Sequence, residues 1–437
     1  AISKRVPIKI GNDFEIEWMH VTHSIIDSSC IAIKTAAGTM IHTGDFKIDH
    51  TPYDGFPTDI HRLAHYGEEG VLVMTSDSTN SHSPGFTKTE KAVGPTFERI
   101  FATATGRVIM STFSSNIHRV AQAIEKALKY GRKICVIGRS MEKNLDISMT
   151  LGYIKFPKDQ FIEAHEINKY TDKEIMIVTT GSQGESMSAL YRMAIHEHRH
   201  VKIKPEDQII LSAKAIPGNE GSVSEIINHL LKAGAKVAYQ DFADIHVSGH
   251  AAQEEQKLML RLVKPKFFLP VHGEYNHALK HGETGVDCGV LERNVYVMAD
   301  GEQIEVNPKY LKKVKTVKSG KVYIDNQLNH KISDDVVIDR QTMAKEGIVM
   351  IVAQINENDR TLASKPKVAT FGFISDKQDR FFTNEIEEIL NTFLVNAKPG
   401  IFKNSRILED ELRKVVRKHC VRKYKKYPMI VPTIFVQ

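Results

Sequence analysis

The apolar positions of this chain change their period near residue 87 and return to the first pattern after residue 256. Residues 14–21 alternate or run apolar and residues 30–35 repeat this. Ala36-Ala37-Gly38-Thr39 then turns the chain into 40–43, predicting a hairpin followed by the edge of a buried sheet. Residues 70–76 (GVLVMTS) are an apolar run that stops at polar side chains, as a buried strand does when a site lies at its C-terminal end. Thr87-x-x-Glu90 then predicts a capping box opening a helix. Strand patterns at 107–110, 133–137, 175–180, 208–212 and 236–239 alternate with helix patterns at 116–129 and 223–232. The first helix gathers Ile117, Val120, Ala121, Ile124 and Leu128 on one face. This alternation predicts a doubly wound parallel α/β layer.

Residues 264–271 (KPKFFLPV) and 294–298 again read as buried strands, and the polar, lysine-rich stretch after Asn307 reads as a linker. The end of the chain carries strands at 347–355 and 367–374, helices from about Thr383 and Ser405, and a last strand at 429–436. The expected division is 1–88 with a return segment 256–306, around an inserted α/β domain 89–255, then a linker 307–342 and a small α+β domain 343–437.

With 437 residues and 41% hydrophobic content, the chain supports two or three domains with real cores, and 26% charge with little Gly and Pro excludes extensive disorder. No apolar run reaches the roughly 18 residues that span a bilayer, and no signal peptide is visible, so a cytoplasmic protein without a membrane partner is expected. Cys30, Cys135, Cys288 and Cys420 are far apart and read as reduced, buried thiols. A net charge of +6 suits a polyanionic partner without requiring one. The chain opens at Ala1 without an initiator Met, so an N-terminus further upstream is expected.

Twenty histidines invite a search for metal ligands. Four segments place a His or Asp where an apolar run ends: Val21-Thr22-His23-Ser24, His42-Thr43-Gly44-Asp45, His246-Val247-Ser248-Gly249-His250 and Pro270-Val271-His272-Gly273-Glu274. Strand-end loops can converge on one point, and imidazole with carboxylate is the donor set zinc prefers. Each segment alone is a weak signal, and the combination carries the weight.

In combination the segments resemble the metallo-β-lactamase motifs of the β-CASP branch. THSIIDSS is similar to the third metal motif, HTGDFKID to the fourth, SDSTN around Asp77 to the acidic β-CASP motif, HVSGH to its histidine motif and PVHGE to the last. PGFT, TFSSNIHR, GRSM and TTGSQGE point within that branch to the ribonuclease J family. The resemblance implies a metallo-β-lactamase αββα sandwich, incomplete at its N-terminus, with an inserted β-CASP domain and an α+β C-terminal domain. The family's His-x-His-x-Asp-His motif is absent ahead of His23. His196-Glu197-His198-Arg199-His200 only superficially resembles it and reads as a polar helix end. Truncation is therefore expected, with this chain inactive alone.

For the intact enzyme the resemblance implies two zinc ions, His23 on one, His272 on the other and Asp45 bridging. Asp77 is implied as the carboxylate orienting a ligand histidine, against a plain turn-forming role. His250 is implied as proton donor or phosphate stabiliser, while His246 reads equally well as packing. Ser248 and Gly249 would offer backbone N–H groups to a phosphate. Ser114, Ser115, Asn116 and Ser182 would hold a 5′-terminal phosphate or nucleotide and Phe113 would stack on a base, with a helix N-cap role competing for Asn116.

The basic run Arg413, Lys414, Arg417, Lys418, Arg422, Lys423, Lys425 and Lys426 lies on a predicted helix with apolar face Leu408, Leu412, Val415 and Val416, either solvated or in contact with RNA or protein. The implied activity is 5′→3′ exonuclease and endonuclease cleavage of RNA, preferably 5′-monophosphorylated, in mRNA decay and rRNA processing. The implied partners are a second copy in a homodimer or homotetramer, and an RNA helicase or other degradosome proteins. The alternatives are a small-substrate metallohydrolase and a non-catalytic RNA-binding or assembly fragment. The inserted layer argues against the first, since a small substrate needs no such lid.

Overall fold

The alternating runs at the start of the chain become strands β1 (Ile8–Ile10), β2 (Phe14–His20), β3 (Ser29–Thr35) and β4 (Gly38–His42), joined antiparallel in that order. Strand β5 (Val73–Asp77) pairs parallel with β4, and β11 (Phe267–Val271) pairs parallel with β5, completing a six-stranded sheet across the insertion. The computed structural model describes residues 2–239, 244–325, 330–397, 401–402 and 404–436, in two compact units, 1–318 and 319–437.

Helices α1 (Ile60–Glu69), α7 (Gln253–Val263) and α8 (Tyr275–Asp287) belong to the same layer as this sheet. Met19, Val21, Ile41, Met74 and Phe268 from the sheet region share a core with Leu63, Tyr66, Met259 and Leu260. A Cβ on Gly67 would lie 1.9 Å from the Leu262 carbonyl oxygen, so only glycine permits the close approach of α1 to α7. On the opposite face Val73, Phe267 and Leu269 are packed by Ile304, Val306 and Leu311.

Strands β6 (Val108–Ser111), β7 (Lys133–Ile137), β8 (Ile175–Thr179), β9 (Gln208–Leu211) and β10 (Lys236–Ala238) form an all-parallel sheet in the order β10-β9-β6-β8-β7. Its two faces are built by the period-2 alternation. Val108 and Met110 pack with α2 (Gly94–Thr103), α3 (Ile117–Lys129) and α4 (Arg139–Thr150), while Ile109 packs with α5 (Ala189–Ala194) and α6 (Glu220–Lys232). The expected doubly wound layer is present.

The helix expected from Thr87 starts later. A 3₁₀ turn spans Glu90–Val93 before α2 begins at Gly94. The capping box fails because tertiary partners take its groups. Thr87 N donates to Glu255 Oε2 at 2.6 Å, and Glu90 N donates to Asp49 Oδ2 at 2.8 Å. The strand expected at 294–298 is a 3₁₀ turn (Glu292–Asn294) and one isolated bridge between Phe268 and Val295. The lysine-rich stretch is not featureless. Strand β13 (Leu311–Thr316) pairs antiparallel with β12 (Glu302–Val306), and because β13 turns only Leu311 inward its lysines mimic a linker.

In the second unit β14 (Ile324–Asp325) pairs with β15 (His330–Lys331), and α9 (Asp334–Glu346) follows. Strand β16 (Ile348–Asn356) pairs antiparallel with β17 (Thr361–Leu362) and β18 (Lys367–Phe371), and parallel with β19 (Met429–Val436). Helices α10 (Asp376–Asn396) and α11 (Ser405–Tyr424) cover one face, burying Val349, Ile351 and Ile355 against Ile386, Leu390, Leu408 and Leu412. The buried stripe of α11 is Leu408, Leu412, Val416 and Cys420, a strict i, i+4 row; Val415, expected on it, is 38% exposed because it lies one position off that row. Much of the basic run is engaged locally. Lys414 pairs with Glu411, Lys423 with Glu385, Arg413 Nε donates to the Ile430 carbonyl, and Arg417 lies over the Tyr427 ring.

Candidate metal centre

Strands β2, β4, β5 and β11 run in one direction, so their C-terminal ends share one edge of the sheet. His23 follows β2, Asp45 follows β4, Asp77 ends β5 and His272 follows β11. The loop before α7 brings His250 to the same edge. Asp45, Asp77, His250 and His272 each offer a ligand atom within 4.8 Å of one another. His23 joins them, with Nε2 3.9 Å from Asp45 Oδ2, while His272 Nε2 lies 3.7 Å from Asp45 Oδ1. One carboxylate thus faces a different imidazole with each oxygen.

The other nitrogen of each imidazole is spoken for. His23 Nδ1 donates to the Gly249 carbonyl at 2.8 Å. His250 Nδ1 lies 2.7 Å from Asp77 Oδ2, and a carboxylate can only accept, so that nitrogen carries the proton. His272 Nδ1 contacts Thr79 Oγ1 at 2.7 Å and Asp77 Oδ1 at 3.2 Å, and the Thr79 hydroxyl donates to the same Asp77 oxygen. The Nε2 atoms of His23 and His272 are therefore left facing Asp45. This is how outer carboxylates and carbonyls orient metal-binding histidines.

Asp77 is 2% exposed. Burial alone would raise its carboxyl pKa, but hydrogen bonds from His250, His272 and Thr79 outweigh that and hold it far below the usual carboxylate range. Burial lowers the His23 pKa and favours the neutral, ligating form. His272 is raised, chiefly by its hydrogen bond to Asp77. Its backbone lies in the left-handed region at φ 62°, followed by Gly273 at φ 87°. A non-glycine residue held there is strained, and such strain clusters at functional sites.

Two ligand atoms sharing a tetrahedral zinc ion stand about 3.3 Å apart, given metal–ligand bonds near 2.0 Å. The separations of 3.7 and 3.9 Å across Asp45 lie close to that value. A donor set of imidazole nitrogens and a carboxylate fits zinc. Asp77, with both oxygens engaged by imidazole nitrogens, fits the orienting role rather than a ligand's.

Sequence reasoning missed three side chains. Thr79 bridges Asp77 and His272, and Asn80 Nδ2 donates to Ser248 Oγ at 2.8 Å and to the His250 carbonyl at 2.9 Å. Both stand inside SDSTN, where a hydroxyl and an amide beside the acid were the available signal. Glu255, fully buried, accepts from the Ile48, Thr87 and Ala252 backbone N–H groups, and nothing local announces it.

Phe113, Ser114, Ser115, Asn116 and Ser182 form a second group, at the carboxyl ends of β6 and β8. No hydrogen bond joins it to the first group among the described residues. The winding of the parallel sheet reverses at β6, the place where open α/β sheets bind ligands. Ser114 accepts from Asn144 Nδ2. Asn116 is buried and caps α3, its Oδ1 accepting from Arg119 N, so the geometry assigns it to the helix rather than to a ligand. His246 Nδ1 lies 3.0 Å from Arg119 Nη1, so His246 packs inside the fold as an acceptor. His198 Nδ1 accepts from the backbone of His200 and Val201 at the end of α5, a structural role.

The sheet and its parallel insertion define a metallo-β-lactamase-type fold with a β-CASP layer. Three family models match in order: Ribonuclease J beta-CASP domain over residues 105–230, Zn-dependent metallo-hydrolase RNA specificity domain over 234–297, and Ribonuclease J C-terminal domain over 335–436. The chain belongs to the ribonuclease J family. It is 58% identical to Ribonuclease J of Helicobacter pylori over 98% of its own length and 62% of that protein's. It is 38% identical to Ribonuclease J 1 of Streptococcus pyogenes, covering 97% of this chain and 75% of that one. Against Ribonuclease J2 of Bacillus subtilis the values are 33%, 96% and 76%. The chain thus spans about 62% of the length of the Helicobacter relatives.

Proposed function

We propose that this chain forms most of a zinc-dependent ribonuclease that degrades RNA 5′→3′ and also cuts internally. The observation that carries this is the convergence of Asp45, Asp77, His250 and His272 within 4.8 Å, on loops spread over much of the chain. Residues 1–88 and 256–306 carry His23, Asp45, Asp77 and His272, 89–255 form the layer over the substrate and bring His250 to the centre, and 343–437 support a homodimer or homotetramer. His23, His272 and Asp45 are the residues that would hold zinc, with His23 and His272 on either side of the Asp45 carboxylate. Bound zinc supplies Lewis acidity toward a phosphoryl oxygen and makes water more acidic.

The remaining steps belong to side chains. His250 keeps its Nδ1 proton on Asp77 and, when Nε2 is protonated as well, passes the Nε2 proton to the leaving oxygen as the P–O bond breaks, ending as the neutral ring still bonded to Asp77. Ser248 and Gly249 offer backbone N–H groups to the scissile phosphate. Ser114, Ser115 and Ser182 hold a 5′-monophosphate and Phe113 stacks on its base, which selects chain ends and favours stepwise cleavage. The protein acts in the cytoplasm in mRNA decay and rRNA processing, with a helicase among its partners.

Zinc content and RNA cleavage decide the matter, assayed on the chain alone and on the chain joined to a segment carrying His-x-His-x-Asp-His. Cleavage by the joined form, lost in Asp45→Asn, supports the proposal. Zinc-dependent turnover of a chromogenic ester or lactam without RNA cleavage would establish a small-substrate hydrolase instead. RNA binding with no turnover by either form would establish an assembly fragment.

A further inference from the structure

The loop 246–250 has no regular secondary structure, yet it carries His250 and the carbonyl that orients His23. Something must hold it. Arg119, the last residue of TFSSNIHR, is 0% exposed. Its Nη2 donates to the Val247 carbonyl at 3.0 Å and its Nη1 lies 3.0 Å from His246 Nδ1. Two guanidinium branches therefore grip two successive residues of the loop.

Arg119 is itself fixed. Its Nε donates to Glu90 Oε1 at 2.7 Å. The Glu90 backbone N–H donates to Asp49 Oδ2 at 2.8 Å, and Lys47 Nζ stands 3.5 Å from Asp49 and 3.9 Å from Glu90. Lys47, Asp49, Glu90 and Arg119 are all buried. Two cations and two anions leave the network neutral, which makes its burial tolerable. It runs from the segment just after Asp45 to the loop that carries His250, through the inserted layer.

We propose that Arg119 is a positioning residue for the metal centre, setting the 246–250 loop against the Asp45 loop through Glu90, Lys47 and Asp49. This rests on the metal-site assignment above. Lysine cannot replace it, because one ammonium cannot reproduce the planar fork that meets Glu90, Val247 and His246 together.

Arg132 provides the control. It is equally buried in the same layer, 1% exposed, and bonds the Ala104, Gly106 and Ile175 carbonyls, far in sequence from every site loop. Arg119→Met and Arg132→Met should both lower Tm. Only Arg119→Met should weaken zinc binding, by roughly 10–100-fold, the effect of losing an outer-shell partner. Only Arg119→Met should speed amide exchange across 246–250. Arg119→Lys should recover part of the Tm and little of the zinc affinity; the Arg119→Lys and Arg132→Lys pair serves if the Met variants do not fold. Equal zinc affinity and equal exchange in Arg119 and Arg132 variants would overturn the proposal. If neither the wild-type chain nor the chain joined to the His-x-His-x-Asp-His segment takes up zinc, the metal-site assignment fails instead, and the exchange comparison still judges Arg119.

Discussion

Gly249→Ala is the sharpest test of the centre. The Gly249 backbone is not in the left-handed region, so alanine brings no conformational strain of its own. What it brings is a methyl group in occupied space. An ideal Cβ would lie 2.7 Å from His23 Cε1, 2.7 Å from His23 Nδ1 and 2.7 Å from Ser24 Oγ. Comfortable contact needs about 3.5 Å, so the imidazole must retreat by roughly 0.8 Å. Zinc sites tolerate about 0.2 Å of error in ligand distance, so a shift of that size removes His23 as a ligand. The same shift breaks the Nδ1 bond to the Gly249 carbonyl.

Overpacking of this kind costs about 1–3 kcal/mol of stability, enough to lower Tm without unfolding the chain. Zinc affinity, measured by competition with a chelator at neutral pH, should fall at least roughly tenfold, about 1.4 kcal/mol. In the metal-free chain, where burial already lowers the His23 pKa, losing the Nδ1 bond that favours the protonated ring should push its titration further below an ordinary histidine. Unchanged zinc affinity with an unmoved His23 titration in a folded Gly249→Ala protein would refute this account of how His23 is held.

Two other outcomes follow from the same geometry. Asp77→Asn turns one accepting oxygen into a donor facing an N–H, so stability should drop by about 1–3 kcal/mol and zinc affinity with it, read by denaturation and competition; a neutral effect would remove Asp77 from its orienting role. His281 is fully buried and His246 half-buried, and loss of solvation is the main cause that pushes both pKa values down to about 3, so between pH 6.5 and 3 the unfolded chain binds protons that the folded chain refuses. Each should cost about 2 kcal/mol of stability by pH 5 relative to pH 6.5, and a flat denaturation profile over that interval would contradict their burial as neutral rings.

The parallel layer and the six-stranded sheet were readable because their strands are short apolar runs that end abruptly at polar residues. Four of the five residues of the centre were readable for the same reason, since strand ends that run in one direction place their loops together; His250, on the loop before α7, was readable only through its motif. What local pattern could not show was competition from afar. Thr87-x-x-Glu90 has the spacing of a capping box, but Glu255 and Asp49 claim the groups it would have used. Arg119 looked like one more polar residue of a helix, although all its donors point inward. Leu311 was hidden among lysines because a one-sided hairpin needs few apolar residues.

The six-stranded sheet poses the remaining physical question, because its first strands are apolar on both faces. Cys30 and Ala32 of β3 are fully buried toward the helices, yet the alternate residues Ile31 and Ile33 are apolar too. The register sets Ile33 opposite Ile16 and Met40, and Ile31 opposite Trp18, while Ile8, Ile10 and Phe14 continue the row at 38%, 54% and 49% exposure. A one-sided antiparallel sheet alternates apolar with polar; a sheet apolar on both faces is the inner layer of a sandwich. In the chain as it stands, charge on the two faces should have opposite consequences. Ala32→Lys buries an unpaired ammonium and should unfold the first unit. Ile33→Lys, one residue on, is half-buried on the other face, where its ammonium can reach water, and should cost only about 1 kcal/mol. Thermal denaturation of the two variants separates the cases, and an Ile33→Lys protein as unstable as Ala32→Lys would mean that this face is covered in solution.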